Sequence, residues 1–245
     1  MSKSIFNDAA MDTNPGSVSS TTLFAIKEAY KTVRTNLILN LDDKPCHIIT
    51  LTSSVSGEGK STSSINLAIA IAQFDKKVLM IDADLRKKRA SKYLKLNSTV
   101  GLTDVVKGNT TFDAAVNATK YPNLDFLSSG ASVNNPAEIL ASRAMNVLLD
   151  EISKNYDFII IDTPPVNIVS DALPLIKKSD GVILVAREQI ITTKDFNKLI
   201  SNLKIIDANI LGIIYIGTDI TQPYYHSKSY FGKDYYNKYN GYDFE

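Results

Sequence analysis

The sequence has little of several residue types on which whole classes of function depend. Its one cysteine, Cys46, rules out an internal disulfide and is typical of a protein from a reducing compartment. The two histidines, His47 and His226, are too few for a histidine-based metal site. The formal net charge is +1 at pH 7, which gives no bulk attraction to nucleic acid or anionic lipid. We therefore expect no nucleic acid partner.

Long hydrophobic runs are also missing. The most apolar stretch, residues 65–72, is far shorter than the roughly 20 residues that a membrane-spanning helix needs. The N-terminus is polar and lacks the apolar core of a signal peptide. These features predict a soluble, cytoplasmic protein.

The sequence does contain a regular alternation of short apolar runs and helical patterns. Runs rich in β-branched residues predict strands at 47–52, 77–81, 124–127, 158–161, 181–186 and 210–216. Apolar residues at helical spacing predict helices at 22–39, 60–74, 136–153, 170–178 and 192–207. The alternation predicts an α/β fold with a doubly wound, mostly parallel sheet and helices on both faces.

The composition changes at both ends of this alternation. Residues 1–21 are rich in Ser, Thr, Asn and Asp and predict a flexible leader. Residues 217–245 contain no apolar period and predict a flexible tail. We therefore expect one domain over residues 22–216.

The segment between the first strand and the next helix has the pattern of a phosphate-binding loop. Its spacing is that of G-x-x-x-x-G-K-[ST], with Ser54 in place of the first glycine. Glycines let successive backbone N–H groups face a phosphate, the lysine reaches the β and γ oxygens, and the following hydroxyl binds Mg²⁺. A glycine-rich turn without a ligand is the alternative. The predicted nucleotide-binding residues are Ser56, Gly57, Glu58, Gly59, Lys60, Ser61 and Thr62.

Two groups of carboxylates follow predicted strands. Asp82 and Asp84 follow the second strand, and Asp162 follows the strand at 158–161. The carboxyl ends of parallel strands face the ligand crevice, so we expect these carboxylates beside the phosphate-binding loop. The predicted metal ligands are Ser61, Asp82, Asp84 and Asp162, and the predicted catalytic residues are Lys60, Asp82, Asp84, Asp162 and Arg86. Aspartates that only cap the next helix are the alternative, and Arg86 has two open roles, contact with phosphate or with Asp84.

The C-terminal region is crowded with tyrosines. It holds seven of the twelve in the chain: Tyr224, Tyr225, Tyr230, Tyr235, Tyr236, Tyr239 and Tyr242. A nucleotide site supplies a phosphoryl donor and a tail of phenols supplies acceptors, which predicts a kinase that phosphorylates itself. A loose phosphoryl-transfer transition state needs little charge on the nucleophile, so we expect Lys60, Mg²⁺ and the loop amides to dominate, with Asp82 accepting the phenolic proton. An aromatic tail that only binds a partner is the alternative.

These motifs together resemble the bacterial tyrosine kinases. The matching segments are the deviant Walker loop at 53–62, D-x-D-x-R at 82–86, D-x-P-P at 162–165, the segments 101–105, 135–138 and 170–172, and the tyrosine cluster. The resemblance implies an ATP- and Mg²⁺-dependent cytoplasmic kinase that acts in capsule or exopolysaccharide synthesis and export. It further implies a membrane activator of the polysaccharide co-polymerase type that recruits the kinase to the inner face of the membrane. A cognate tyrosine phosphatase and a homo-oligomeric ring with transfer between subunits are also implied.

The sequence departs from the family pattern at two informative places. The assembly motif E-x-x-R-x-x-R falls on Glu28, Lys31 and Arg34, so a lysine replaces the first arginine and loses its bidentate fork. Ile216 stands where relatives often have an asparagine that contacts adenine.

Two other functions stay open on the sequence alone. One is a switch ATPase of the partitioning and septum-positioning type, and the other is a nucleotide-binding regulatory scaffold. The signature lysine of the ATPases would fall on Val55, which argues against the first of these.

Overall fold

A computed structural model of the chain describes residues 20–88, 90–96 and 98–217. Residues 1–19, which make up most of the predicted leader, lie outside the described residues. So do Arg89 and all seven tyrosines of the predicted tail.

The centre of the structure is one seven-stranded sheet. Its strands are β1 (His47–Ser53), β2 (Val78–Asp82), β3 (Val116–Ala118), β4 (Leu124–Leu127), β5 (Phe158–Asp162), β6 (Gly181–Arg187) and β7 (Ile210–Ile216). They are arranged in the order β3-β4-β2-β5-β1-β6-β7. All neighbours are parallel except β3, which pairs antiparallel with β4. This confirms the predicted doubly wound, mostly parallel α/β fold.

Helices connect the strands and cover the sheet. Those in the described residues are α1 (Ser20–Asn40), α2 (Lys60–Ala72), α3 (Ala90–Tyr93), α4 (Leu102–Val106), α5 (Phe112–Ala115), α6 (Pro136–Ala141), α7 (Arg143–Ile152), α8 (Leu173–Lys178) and α9 (Thr193–Ile205). A 3-10 turn, Ser170–Ala172, leads into α8. No helix among them combines the length and apolarity needed to cross a membrane.

Alternate residues of the central strands pack into three hydrophobic clusters, and two of these show how both faces are covered. On one face, Ile49 and Met80 pack with α1 and α2, and on the other, Ile48 and Leu79 pack with α4 and α7. Because both faces are covered, the strands are apolar at nearly every position and appear in the sequence as continuous apolar runs.

Helix α2 is held from two sides. Every residue from 63 to 72 is buried, because the sheet lies beneath the helix and α1 covers its outer surface. The Tyr30 hydroxyl of α1 donates to Ser63 Oγ at 3.0 Å. Full burial of each large aliphatic side chain stabilises the fold by about 1.5–3 kcal/mol, so the helix that follows the phosphate-binding loop is a rigid element.

Several local features differ from the prediction, and the short helices α3, α4 and α5 were not predicted. The helix expected at 136–153 is broken at Ser142, whose backbone is extended (φ −67°, ψ 154°) and whose hydroxyl accepts from the N–H of Met145. Strand β3 was not predicted because its three residues are partly exposed and carry no apolar run.

The order of the strands determines where the functional motifs meet. β5 lies between β1 and β2, so the carboxyl ends of all three are adjacent. The phosphate-binding loop follows β1, and the two aspartate motifs begin at the last residues of β2 and β5.

Candidate functional site

The phosphate-binding loop has the backbone conformation that its glycines predict. Gly57 and Gly59 both have positive φ, 95° and 88°, and a Cβ atom at Gly59 would lie 2.8 Å from Ile216 Cδ1. A side chain at Gly59 would therefore be strained and crowded at once. Helix α2 begins directly afterwards at Lys60, and the N–H groups of its first turn have no partner inside the helix. The loop therefore presents amide donors and a lysine at one helix end, an arrangement suited to a phosphate.

The Glu58 side chain points into the protein. It is completely buried, and its Oε2 accepts from Ser54 Oγ at 2.9 Å and from the N–H of Val55 at 2.7 Å. Glu58 is one of the predicted nucleotide-binding residues, but it can bind a phosphate only through its backbone N–H. Its side chain instead ties the loop to the end of β1.

Two buried carboxylates lie side by side at the end of the sheet. Asp82 and Asp162 are register partners in the pairing of β2 with β5, and they are 1% and 0% exposed. Asp82 Oδ1 accepts from the N–H of Asp84 at 3.2 Å, and Asp162 Oδ1 lies 3.3 Å from Ser64 Oγ. Within the described structure the second oxygen of each carboxylate has no hydrogen-bond partner. Unpaired buried carboxylate oxygens are costly, so the pair calls for a cation.

The electrostatics of the pair lead to the same conclusion. Burial is the main reason that the pKa of Asp162 is raised to about 6, and Lys60 and hydrogen bonding from Ser61 partly offset it. Burial, followed by the charges of Asp162 and Asp84, raises the pKa of Asp82 well above its usual range. A divalent cation between these carboxylates would restore both to the charged form.

The residues present fit a magnesium ion that is shared with a nucleotide. No cluster of three or more His, Cys, Asp or Glu side chains suited to a metal was found in the described part of the chain. Mg²⁺ usually binds one or two carboxylates together with substrate phosphates and waters, and does not require such a cluster. Ser61, at the start of α2, and the two buried aspartates supply that kind of partial ligand set.

A polar cavity lies at the start of α2, and neither Asp82 nor Asp162 lines it. It is lined by Ser56, Gly57, Gly59, Lys60, Ser61, Thr62, Asp84, Lys87 and Tyr93. The structure thus brings together the predicted loop residues, apart from the Glu58 side chain, with Asp84. Two lining residues, Lys87 and Tyr93, were not among the predicted site residues. A larger groove of about 500 Å³ between α6 and α8 is mostly apolar and contains none of the candidate phosphate- or metal-binding residues.

Arg86 pairs with Asp171, which is neither of the two contacts expected for it. Its Nε donates to Asp171 Oδ2 at 2.7 Å, and its Nη2 lies 3.2 Å from Oδ1 of the same carboxylate. Asp171 is 2% exposed and lies in the 3-10 turn before α8. The bidentate pair therefore ties the loop after β2 to a remote segment and gives the Ser170-Asp171-Ala172 motif a structural role.

The residues of the predicted assembly motif all have contacts within the chain. Lys31 forms an exposed ion pair with Glu28 at 2.7 Å. Arg34 donates to the carbonyl oxygen of Ala70 at 3.2 Å and lies 4.7 Å from the centre of the Phe74 ring. Arg34 therefore clamps α1 to the end of α2, and the role of the three residues in oligomerisation stays a prediction.

Comparison with known proteins identifies the family. Residues 46–214 match a family described as an AAA domain. The chain is 38% identical to the tyrosine-protein kinase YwqD of Bacillus subtilis over 83% of its own length and 88% of that protein. The chain belongs to the bacterial tyrosine kinases. Some curated relatives of this kinase are much longer, and the match spans only 21–28% of them.

Solved structures agree with this assignment and show how similar the chain is to a tyrosine kinase and to a septum-positioning ATPase. The kinase domain of the Escherichia coli tyrosine kinase ETK superposes with a TM-score of 0.76 at 30% identity, covering 84% of this kinase and 79% of that chain. The septum site-determining protein MinD of Pyrococcus horikoshii, complexed with Mg-ADP, gives a TM-score of 0.60 at 29% identity over 69% and 70% of the two chains. The fold is thus one that binds nucleotides, and the tyrosine kinases resemble this chain more closely than the septum-positioning ATPase does.

Proposed function

We propose that this bacterial tyrosine kinase transfers the γ-phosphoryl group of ATP, with Mg²⁺, to tyrosines of its own C-terminal tail. The observation that carries the proposal is the buried Asp82–Asp162 pair at the carboxyl ends of β2 and β5, with the Lys60 charge acting on Asp162. Both carboxylates have an oxygen without a partner, and a phosphate-binding loop opens beside them.

Each group has a defined role in the proposed transfer. Lys60 and the N–H groups of the loop bind the β- and γ-phosphates and stabilise the charge that spreads over the transferring group. Mg²⁺, held by Ser61 and Asp162 with Asp82 and Asp84 nearby, would supply further charge neutralisation. The bond between the phenolic oxygen and the γ-phosphorus forms while the bond from that phosphorus to the β–γ bridging oxygen breaks, and ADP leaves. Asp82 accepts the phenolic proton, a role open to it once the cation holds its carboxylate in the charged form.

The tail begins close to the proposed site. Ile216, the last residue of β7, has its side chain against Gly59 of the phosphate-binding loop. The 28 residues after Gly217 reach at most about 90–100 Å when extended, enough for the subunit's own site or for a neighbour's. We propose that the acceptors are the seven tail tyrosines and that transfer occurs between subunits of a ring assembled in part through Glu28, Lys31 and Arg34.

The proposed setting follows from membership of the family. A membrane activator of the polysaccharide co-polymerase type would recruit this cytoplasmic kinase to the inner face of the membrane through the activator's cytoplasmic end. A cognate tyrosine phosphatase would reverse the reaction. The output would be control of capsular or exopolysaccharide synthesis and export.

One labelling experiment tests the proposal. The purified chain is incubated with γ-labelled ATP and Mg²⁺, with and without the cytoplasmic end of a candidate activator. The controls are Lys60→Met and a variant in which phenylalanine replaces all seven tail tyrosines. We expect label on tail tyrosines of the wild type and on neither control. Label released only as free phosphate would favour a switch ATPase, and no turnover in either condition would favour a scaffold; both results would overturn the proposal.

A further inference from the structure

Lys87 is held beside the nucleotide cavity by its own backbone. Its N–H donates to Asp84 Oδ1 at 3.0 Å and lies 3.2 Å from the Asp84 carbonyl oxygen. These contacts close a tight turn directly after β2. The turn fixes the point from which the lysine side chain departs.

The side chain of Lys87 crosses to the phosphate-binding loop. Its Nζ donates to Ser56 Oγ at 2.9 Å, although the two residues are 31 positions apart in the sequence. Both residues line the cavity that contains Lys60 and Asp84. The ammonium group therefore lies at the mouth of the candidate nucleotide site.

The residues on either side of Lys87 in the sequence have other partners. Arg86 pairs with Asp171, and Lys88 Nζ donates to the carbonyl oxygen of Gly130. Lys87 has only a neutral hydroxyl as the partner of its ammonium group within the described structure, and no carboxylate lies within ion-pair distance. An ammonium group has three donors, so donors remain for an anion.

The position of the lysine selects one part of the nucleotide. In loops of this pattern the amides and the lysine bind the β-phosphate and the near oxygens of the γ-phosphate, so a terminal phosphate here would extend towards the carboxylates. Lys87 spans that side, with its backbone on Asp84 and its ammonium group on Ser56. We propose that Lys87 is a second phosphate-binding cation, which contacts the terminal phosphate of a nucleoside triphosphate and makes no such contact with a diphosphate.

This inference rests on the proposed nucleotide site and makes it more specific. The loop itself contains one lysine, Lys60, and the position of the ATPase signature lysine is Val55. Lys87 supplies the missing second charge from another segment of the same chain. Its flexible stem lets the ammonium group move from Ser56 to the phosphate, and return once the phosphoryl group has left. The kinase would thereby distinguish ATP from ADP.

The test compares two nucleotides in matched variants. Dissociation constants for Mg-ADP and for a Mg-bound, non-hydrolysable ATP analogue are measured by titration calorimetry. The proteins are the wild type, Lys87→Gln, Lys87→Arg and Lys92→Gln. Lys92 is exposed on α3, a few residues further along the chain, and does not line the cavity, so its variant removes the same charge at a nearby place.

We expect Lys87→Gln to weaken binding of the analogue about tenfold and binding of ADP less than about twofold. Lys87→Arg should restore most of the loss, and Lys92→Gln should change neither constant. Equal weakening of both nucleotides, no weakening of either, or the same effect from Lys92→Gln would overturn the inference while the nucleotide site stands. If the wild type binds neither nucleotide, the site itself fails and the inference fails with it.

Discussion

Replacement of Glu58 by alanine is expected to destabilise the protein and to weaken nucleotide binding together. The carboxylate is wholly buried beneath the phosphate-binding loop and accepts from Ser54 Oγ at 2.9 Å and from the N–H of Val55 at 2.7 Å. The Glu58 side chain therefore holds the loop from inside the protein. It does so through Ser54, which occupies the first glycine position of the usual motif.

The size of the effect follows from what the truncation leaves behind. The Ser54 hydroxyl is completely buried and the Val55 N–H partly so, and each donor stranded without a partner costs about 1–3 kcal/mol. Against this, the truncation removes a buried charge whose Oε1 has no partner, which offsets part of the loss. We expect a net loss of about 3 kcal/mol, which for a domain of this size lowers the Tm by about 6–12 °C.

Glu58→Gln is the matched control. It keeps an oxygen that can accept from Ser54 and Val55, but it places an amide NH2 group where Oε1 has no partner, so we expect a loss smaller than that of alanine, about 1–2 kcal/mol. Denaturant unfolding gives the stabilities, and calorimetry at a temperature where both variants are folded gives ADP affinity. If alanine and glutamine cost the same, or if alanine costs nothing, the hydrogen bonds do not brace the loop and the reasoning is wrong.

Three further predictions concern groups outside the loop backbone. Burial raises the pKa of Asp162 to about 6. The nucleotide-free protein therefore loses stability as the pH rises from the ordinary pKa of an aspartate, about 4, through 6. Urea unfolding in the presence of a chelator should find Asp162→Asn more stable than the wild type by about 3 kcal/mol at pH 7.5 and equal to it near pH 4. An equal gain in stability at both pH values would contradict this. Burial raises the pKa of Cys46 to about 11, so alkylation followed by mass spectrometry at pH 8 should be far slower in native than in urea-unfolded protein, and equal rates would contradict this. Arg34→Ala should lower the free energy of unfolding in urea by about 1–2 kcal/mol, because it loses a hydrogen bond and the Phe74 contact. Lys31→Ala should lower it by less than about 0.5 kcal/mol. Equal losses would show that Arg34 does not clamp α1 to α2.

Much of the fold was predictable because the central strands are buried on both faces. Continuous apolar runs identified six of the seven strands, and β7 agrees with the predicted range 210–216 at both ends. The break at Ser142 was missed because no glycine or proline marks it. A serine that leaves the helix and caps the next one depends on how α6 and α7 pack against the rest of the domain.

The candidate site was also predictable only in part. The positions of Asp82 and Asp162 followed from strand ends and a parallel sheet, and their pairing in register agrees with the prediction that they meet. The contacts of Arg86 and Lys87 were not predictable, since their partners, Asp171 and Ser56, lie 85 and 31 residues away. Local patterns indicate where a strand ends, but only tertiary packing decides which distant group a long side chain reaches.

The proposed nucleotide chemistry would be common to kinases and ATPases, and this bears on how a tyrosine would replace water as acceptor. The fold is similar to that of a MinD structure complexed with Mg-ADP, and the buried carboxylate pair and the loop before α2 are the groups that we propose bind the magnesium nucleotide. We propose that the acceptor is selected at the part of the cavity lined by Asp84, Lys87 and Tyr93. All three come from the segment after β2, whereas the phosphate-binding loop lies between β1 and α2. Selection for a phenolic acceptor would therefore act on the segment after β2 and leave the nucleotide-binding loop unchanged.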